Sequence, residues 1–271
     1  MLLACTVPAV WLFAKALAGM LGSKPLTYAI HDTGDWAVRF LLLSLLVTPL
    51  RTIANWPKLI MVRRMLGLTA LAYVFIHLAL YVVDQRYDLI KVASEIVQRF
   101  YLTIGFVALV GLAVLGATST DAAIKRLGAV RWNKLHASVY VLTVLSLAHF
   151  FIQSRLDVTQ PVLMSGFFVW LMGYRALRKR DVAINLGVLT ALAIAAGLST
   201  ALVEVAWYAS MTGVQASRVL AANLDFSFVI RPAWWVLAAG LGLALVNLAT
   251  RSGSRISRDD ALSTPPVLKQ Q

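Results

Sequence analysis

The sequence predicts an all-α fold, a polytopic membrane helical bundle. Of the 271 residues, 60% are hydrophobic and only 14% are charged, and the mean hydropathy is +0.77. A soluble domain carries roughly 25% charged residues. The apolar residues form runs of about 20 residues, the length that a helix needs to cross the hydrocarbon core of a bilayer. Leucine and alanine dominate these runs, which lack the two-residue alternation of strands, so they predict helices in contact with lipid.

Eight such runs follow one another along the chain. They cover residues 5–22, 36–53, 63–83, 100–118, 132–153, 160–177, 182–206 and 229–249. A soluble helix needs a polar outer face, whereas these runs are apolar on every side. We therefore expect eight membrane spans. The residues from Arg251 onward are polar and predict a disordered tail.

The loops between the predicted spans alternate in charge. Those after the second, fourth and sixth spans are rich in lysine and arginine, and the others are balanced or poor in charge. Basic loops remain on the cytoplasmic side, so the pattern predicts a multi-pass protein with both termini in the cytoplasm. Topology therefore explains the net charge of +13. No nucleic-acid partner is expected, because no helix face combines basic residues with exposed aromatic ones.

Three of the four histidines lie within predicted spans: His77 in the third, and His136 and His149 in the fifth. Ionisable side chains are costly in hydrocarbon, so each one indicates a possible site. At 1.5 Å per residue, His77 lies ~21 Å and His149 ~25 Å from the cytoplasmic ends of their spans. Two neutral imidazoles at one depth on different helices suit the axial ligation of a haem iron.

His136 lies ~20 Å closer to the cytoplasm than His149, which is enough for a second redox centre. The two residues are about 140° apart on an ideal helix, so both face one neighbour only if the helix tilts or is irregular. The third span offers Arg63 and Arg64 opposite His136, not a histidine, so a methionine, water or nothing would complete an inner haem. For each histidine, a neutral imidazole bonded to a nearby carbonyl is the alternative. A zinc site is a weaker one, because zinc prefers three or four clustered ligands.

At these residues the chain resembles the MsrQ (YedZ) family, the haem-binding membrane subunits of the periplasmic methionine sulfoxide reductase system. That family is part of the ferric-reductase-like transmembrane group. The resemblance covers roughly residues 29–177. It is carried by His31, Thr33, Gly34 and Trp36, by Thr48, Pro49 and Arg51, by Arg63, Arg64 and Gly67, by His77, by Tyr101, Thr103 and Gly105, by Thr118, by Trp132, His136 and Tyr140, and by His149.

The resemblance implies a six-helix ferric-reductase-like core and a C-terminal addition of two helices. The corresponding divisions are a haem-binding domain at 1–178, an additional transmembrane hairpin at 179–250 and a disordered cytoplasmic tail at 251–271. His77, His136 and His149 match the family's axial ligands of haem iron. The implied cofactors are haem b, in one or two copies, and FMN. His31 falls in the first predicted loop, where we expect a surface residue; contact with a haem propionate or with a partner is the alternative.

The implied function is electron transfer across the bacterial inner membrane. The donor would be the quinone pool or a cytosolic flavin reductase, and the acceptor a periplasmic molybdopterin-containing methionine sulfoxide reductase that repairs oxidised proteins. The chain itself would be an electron-transfer subunit, not the catalyst. Two alternatives are open. The first is a ferric or superoxide-type reductase; its flavin donor would be a separate protein, because no glycine motif for binding phosphates is present. The second is a transporter or scaffold without a cofactor.

Overall fold

The computed structural model describes residues 2–155, 157–227 and 229–263, and in these ranges all regular structure is helical. Twelve α-helices and one short 3₁₀ helix, Pro57–Leu59, make up this part of the chain. The α-helices are α1 Leu2–Leu17, α2 Pro25–Ile53, α3 Ile60–Asp84, α4 Leu89–Gln98, α5 Phe100–Ala117, α6 Asp121–Leu127, α7 Ala129–Ala137, α8 Val139–Ser154, α9 Thr159–Lys179, α10 Leu186–Met211, α11 Ala216–Leu224 and α12 Pro232–Ser263. The all-α prediction is confirmed.

Six segments of the described chain are long and apolar enough to cross a membrane. They are Pro25–Ile53, Pro57–Asp84, Phe100–Ala117, Ala129–Ser154, Leu186–Met211 and Pro232–Arg251. The first and sixth predicted spans are also helices, α1 and α9, but they are not among the six. With 16 residues, α1 is only about 24 Å long. The carboxyl end of α9 is polar, with Arg178 and Lys179 in its last turn. A polytopic membrane protein follows from the six spans.

Several segments differ from their predicted form, and three short helices, α4, α6 and α11, lie within predicted loops. The helix α2 begins at Pro25, so residues 25–35, expected in a loop, are helical. His31, Asp32 and Asp35 therefore lie on a helix, and the placement of His31 in a loop was wrong. The predicted tail from Arg251 overlaps the last turns of α12, and residues 264–271 lie outside the described part of the chain.

The chain divides into two compact units. One comprises Met1–Val47 and Met61–Ser165, and the other comprises Thr48–Ile60 and Gly166–Gln271. The later part of the second unit begins at Gly166, within α9. The predicted domain boundary at residue 178 stays a prediction.

In the first unit, Tyr73 fastens α1 to α3. Its hydroxyl donates to the carbonyl of Cys5 and accepts from the backbone N–H of Ala9, each at 3.0 Å. These two backbone groups are one helical turn apart on α1, which contains Pro8. The Tyr73 ring is buried among apolar side chains of α1, α2, α3, α5 and α8. The hydroxyl therefore binds two backbone groups of α1 and joins that helix to α3.

Tyr73→Phe should lower the stability of the protein by about 1–2 kcal/mol, because two buried backbone groups lose their partner. The measurement is thermal or denaturant unfolding in detergent micelles. Tyr87→Phe is the matched control, since Tyr87 is exposed. Equal stability of the two variants would contradict this role for Tyr73.

In the second unit, α10 and α12 approach closely through small residues. A Cβ at Gly240 would lie 2.6 Å from the Cβ of Ala193, and one at Gly197 would lie 3.3 Å from the carbonyl oxygen of Ala233. Membrane helices commonly use small residues in this way, because backbone approach increases van der Waals contact.

A buried carboxylate lies towards the carboxyl end of α10. Glu204 is 1% exposed and forms an ion pair with Arg231 at 3.2 Å. Its other oxygen accepts from the side-chain amide nitrogen of Asn223 at 2.9 Å. The backbone carbonyl of Asn223 accepts from the Trp234 indole at 2.7 Å. Glu204 thus fastens the segment between α10 and α12, which contains α11, to α10.

Glu204→Ala should destabilise the protein by about 2–3 kcal/mol, because Arg231 and Asn223 lose their buried partner. The cost is below that of a fully buried pair because the Arg231 side chain is 34% exposed. Unfolding in micelles measures it. Asp121→Ala removes an ion pair whose carboxylate is 80% exposed and should have almost no effect. Equal losses in the two variants would contradict the assignment.

Candidate functional site

The structure brings two of the predicted site residues together. His77 on α3 and His149 on α8 have ring centroids 6.3 Å apart, and their ring planes are at 89°. Both side chains lie in the first unit, within apolar segments that are long enough to span the membrane.

Each imidazole is hydrogen-bonded to a backbone carbonyl of a neighbouring helix, α2 for His77 and α5 for His149. Nδ1 of His77 lies 2.8 Å from the carbonyl oxygen of Ile30 on α2, and Nδ1 of His149 lies 2.7 Å from that of Tyr101 on α5. A carbonyl oxygen only accepts, so Nδ1 carries the proton in both rings. In a neutral imidazole the lone pair is then on Nε2, which is the nitrogen left for a metal.

A glycine lies against each of the two rings. A Cβ at Gly34 would lie 3.1 Å from Nδ1 of His77, and a Cβ at Gly105 would lie 2.8 Å from Nδ1 of His149. Each glycine comes four residues after the carbonyl that holds the ring, Gly34 after Ile30 and Gly105 after Tyr101. The two halves of the site therefore repeat one arrangement, in which the absence of a side chain lets a helix backbone reach the imidazole.

The imidazole pair fits a metal bound axially between the rings. A bond from a metal to an imidazole nitrogen is about 2 Å long and the ring centre lies about 1 Å behind that nitrogen, so two such ligands have ring centres about 6 Å apart. The observed 6.3 Å agrees with this. Two neutral imidazoles in an apolar surrounding are also the donor set of a low-spin haem. Within the described residues, no cluster of three or more His, Cys, Asp or Glu side chains forms a metal site, so the donor set of a zinc centre is not found there.

His31 lies beside this pair, on the same helix as Ile30. Its Nε2 is 3.2 Å from the Gln153 side-chain nitrogen, which donates, and Gln153 lies one turn after His149 on α8. The contact joins α2 to α8 next to the two imidazoles. His31 is exposed.

A second polar chain joins α3, α4 and α5 at the same end of the unit. Tyr81, one turn after His77, donates to Glu95 on α4. Arg99 forms an ion pair with Glu95 at 3.2 Å and donates to the Tyr101 hydroxyl at 3.4 Å. Both neighbours raise the pKa of the Arg99 guanidinium, the Tyr101 hydrogen bond most. This chain fixes the first turn of α5, which supplies the carbonyl that holds His149.

His136 is separate from the pair. It lies on α7, which ends at Ala137, so it does not share a continuous helix with His149 on α8. The Ser138 hydroxyl donates to the Leu135 carbonyl at 2.7 Å at this break. The fifth predicted span is therefore divided at Ser138, although the backbone angles of that residue remain helical, with φ −60° and ψ −17°.

The His136 imidazole already has two neighbours. Its ring stacks on Trp132, with centroids 3.8 Å apart, and its Nε2 lies 3.1 Å from the Thr118 hydroxyl. That hydroxyl donates to the Val114 carbonyl at 2.8 Å, so it accepts from Nε2. The Trp132 indole donates to the Thr118 carbonyl at 2.8 Å. The contact is thus made by Nε2 in His136, whereas it is made by Nδ1 in His77 and His149.

Sequence reasoning found the histidine pair but missed the groups that hold it. The backbone carbonyls have no signal in a single sequence, because every residue has one. The two glycines do have a signal: each lies within a helix, one residue after a threonine in Thr33-Gly34 and two after in Thr103-Ile-Gly105. A glycine inside a helix destabilises it, so its presence indicates close packing.

Comparison with known proteins identifies the family. Residues 33–147 match the family model described as "Ferric reductase like transmembrane component". This range includes His77 and His136, and ends two residues before His149. No solved structure matches the chain.

Curated relatives match along most of their length, and each is named protein-methionine-sulfoxide reductase heme-binding subunit MsrQ. The relative from Polaromonas naphthalenivorans is 44% identical over 192 residues, covering 68% of this chain and 88% of the relative. The relative from Rhodospirillum rubrum is 38% identical over 181 residues, covering 65% of this chain and 87% of the relative. The relative from Caulobacter vibrioides is 36% identical over 182 residues, covering 67% of this chain and 87% of the relative. The chain therefore belongs to the MsrQ family of membrane proteins.

Proposed function

We propose that this protein is the haem-binding electron-transfer subunit of a methionine sulfoxide reductase system, with His77 and His149 as axial ligands of one b-type haem. The observation that carries the proposal is the imidazole pair, with centroids 6.3 Å apart and both Nδ1 atoms bonded to carbonyls. The names of the relatives, all haem-binding subunits of this system, support it.

The chain's own residues bind and orient the cofactor. The carbonyls of Ile30 and Tyr101 hold the Nδ1 protons, which fixes the tautomer of both rings and increases the basicity of Nε2. Apolar helices around the pair exclude water, and such burial sets the reduction potential together with the ligands. When bound, haem supplies a one-electron carrier within the membrane.

Electrons enter from the cytoplasmic side in this proposal. Basic loops face that side by the positive-inside rule, and the second, fourth and sixth loops, with the residues that flank them, contain 12 of the 25 lysine and arginine residues. The donor is the quinone pool or a cytosolic flavin reductase, and FMN is a further cofactor. Arg63, Arg64 and Lys134 are candidates for a phosphate contact, although Arg64 already forms an ion pair with Asp121 at 2.7 Å. His136 comes two residues after Lys134 and 13 residues before His149, and it stays a candidate ligand of an inner haem.

Electrons leave towards the periplasm in this proposal. The partner is a molybdopterin-containing methionine sulfoxide reductase, which performs the catalysis, and this chain is not itself the enzyme. The protein lies in the bacterial inner membrane with both termini in the cytoplasm, as the loop charges predict. The polar groups next to the histidine pair, His31 with Gln153 and Arg99 with Glu95, are closest to that partner.

His77→Ala and His149→Ala should each abolish the absorption of a bis-imidazole, low-spin haem in the purified protein, because each removes one axial ligand. Visible absorption of the oxidised and reduced protein measures this. The matched control is His31→Ala, which removes a histidine next to the pair and should keep the spectrum. An unchanged bis-imidazole spectrum in both ligand variants would refute the ligand assignment.

The same preparations distinguish the alternatives. A colourless wild-type protein would indicate a transporter or scaffold. Reduced protein that transfers electrons to iron or oxygen but not to a periplasmic methionine sulfoxide reductase would indicate a ferric or superoxide-type reductase.

His136→Ala should keep the outer haem and block its reduction from the cytoplasmic side. Thr118→Val, which retains the shape but loses the hydrogen-bonding hydroxyl, separates two roles of His136. If Nε2 binds an inner haem, His136→Ala lowers the haem content, and Thr118→Val raises it because the competing contact with Nε2 is gone. A structural His136 predicts no change in haem content from either variant. Haem per protein and the rate of reduction by an added quinol or flavin reductase are the measurements. Normal reduction in His136→Ala would remove His136 from the electron path.

A further inference from the structure

We propose that Gly34 and Gly105 are positioning residues that hold the imidazoles of His77 and His149 with crossed ring planes, and so set the electronic state of the iron between them. The inference rests on the proposed function, since it concerns a haem bound by these two residues. It goes further by assigning roles to two residues that do not touch the iron.

The crossed arrangement follows from where each ring finds its acceptor. The Ile30 carbonyl belongs to α2 and the Tyr101 carbonyl to α5, so the two Nδ1–H groups point at different helices. A ring whose Nδ1 is fixed in this way cannot rotate about its bond to the metal without losing the hydrogen bond. The plane of each imidazole is therefore set independently, and the two planes meet at 89°.

The glycines make these contacts possible. A methyl group at Gly105 would lie 2.8–3.1 Å from three atoms of the His149 ring, closer than carbon atoms ordinarily approach. At Gly34 the corresponding contacts with His77 are 3.1 and 3.2 Å to Nδ1 and Cε1. Either methyl group pushes the imidazole away from its carbonyl and rotates the ring plane. The displacement is larger at Gly105 than at Gly34.

Ring orientation has a direct spectroscopic consequence. Each imidazole donates π electron density into the iron d orbital that lies perpendicular to its own ring plane. Parallel rings raise one of the two orbitals and separate their energies, whereas crossed rings raise both equally. Crossed ligands therefore give the oxidised haem a single, strongly anisotropic low-field EPR line, and parallel ligands give three resolved lines. Ligand orientation also contributes to the reduction potential.

The test is low-temperature EPR of the full-length oxidised protein in detergent, together with a redox titration. The wild type should show the single low-field line. Gly105→Ala should retain a bis-imidazole visible spectrum, but its low-field line should move to a smaller g value and the midpoint potential should shift. Gly34→Ala should change both in the same sense and by less.

Gly67→Ala is the matched control. Gly67 lies on α3, the helix of His77, and a Cβ there meets no atom within 4 Å. This variant should have the EPR line and potential of the wild type, so a general effect of alanine in the helix is separated from the contact with the ring. If Gly105→Ala loses its haem, Gly34→Ala decides the question.

Two results would overturn the inference without touching the proposed function. One is a wild-type protein that binds haem through two imidazoles but shows three resolved lines. The other is a pair of variants, Gly34→Ala and Gly105→Ala, whose EPR line is identical to that of Gly67→Ala. A wild-type protein that shows no bis-imidazole spectrum would instead contradict the proposed function.

Discussion

An imidazole in hydrocarbon needs a partner for its N–H group and must still leave its other nitrogen free for a metal. The first unit meets this requirement with backbone carbonyls alone, from Ile30 for His77 and from Tyr101 for His149. A carboxylate partner would add an unpaired charge to an apolar region, which is costly. The choice of a carbonyl demands that a helix backbone come within hydrogen-bonding distance of each ring, and the other features of the site follow from that demand.

Close approach of helices is the common theme of both units. In the first, Gly34 and Gly105 admit an imidazole, and in the second, Gly197 and Gly240 admit a neighbouring helix. Two buried polar groups also join helices: the Tyr73 hydroxyl binds two backbone groups of α1, and Glu204 binds Arg231. In a membrane, van der Waals contact and internal hydrogen bonds replace the hydrophobic driving force between helices.

The sequence was sufficient for the all-α class and for placing His77 and His149 at similar depth, because apolar length and loop charge indicate depth. Three features escaped it. The start of α2 was missed because the polar residues around His31 are typical of a loop, although in the structure they form the first turns of a long helix. The break at Ser138 has no proline or glycine to indicate it. The carbonyl partners depend on which helices are neighbours, and helix adjacency has no local pattern in a single chain.

The main-chain origin of the two histidine partners has a consequence for how this site is inherited. A ligand partner that is a side chain is lost whenever its codon changes, but a carbonyl survives every substitution that preserves the helix. The carbonyls at positions 30 and 101 are therefore kept with any side chain that the helix accepts, whereas a side chain at positions 34 and 105 would meet an imidazole. A haem site of this kind should be recognised less by what surrounds its histidines than by the places where nothing larger than hydrogen is tolerated.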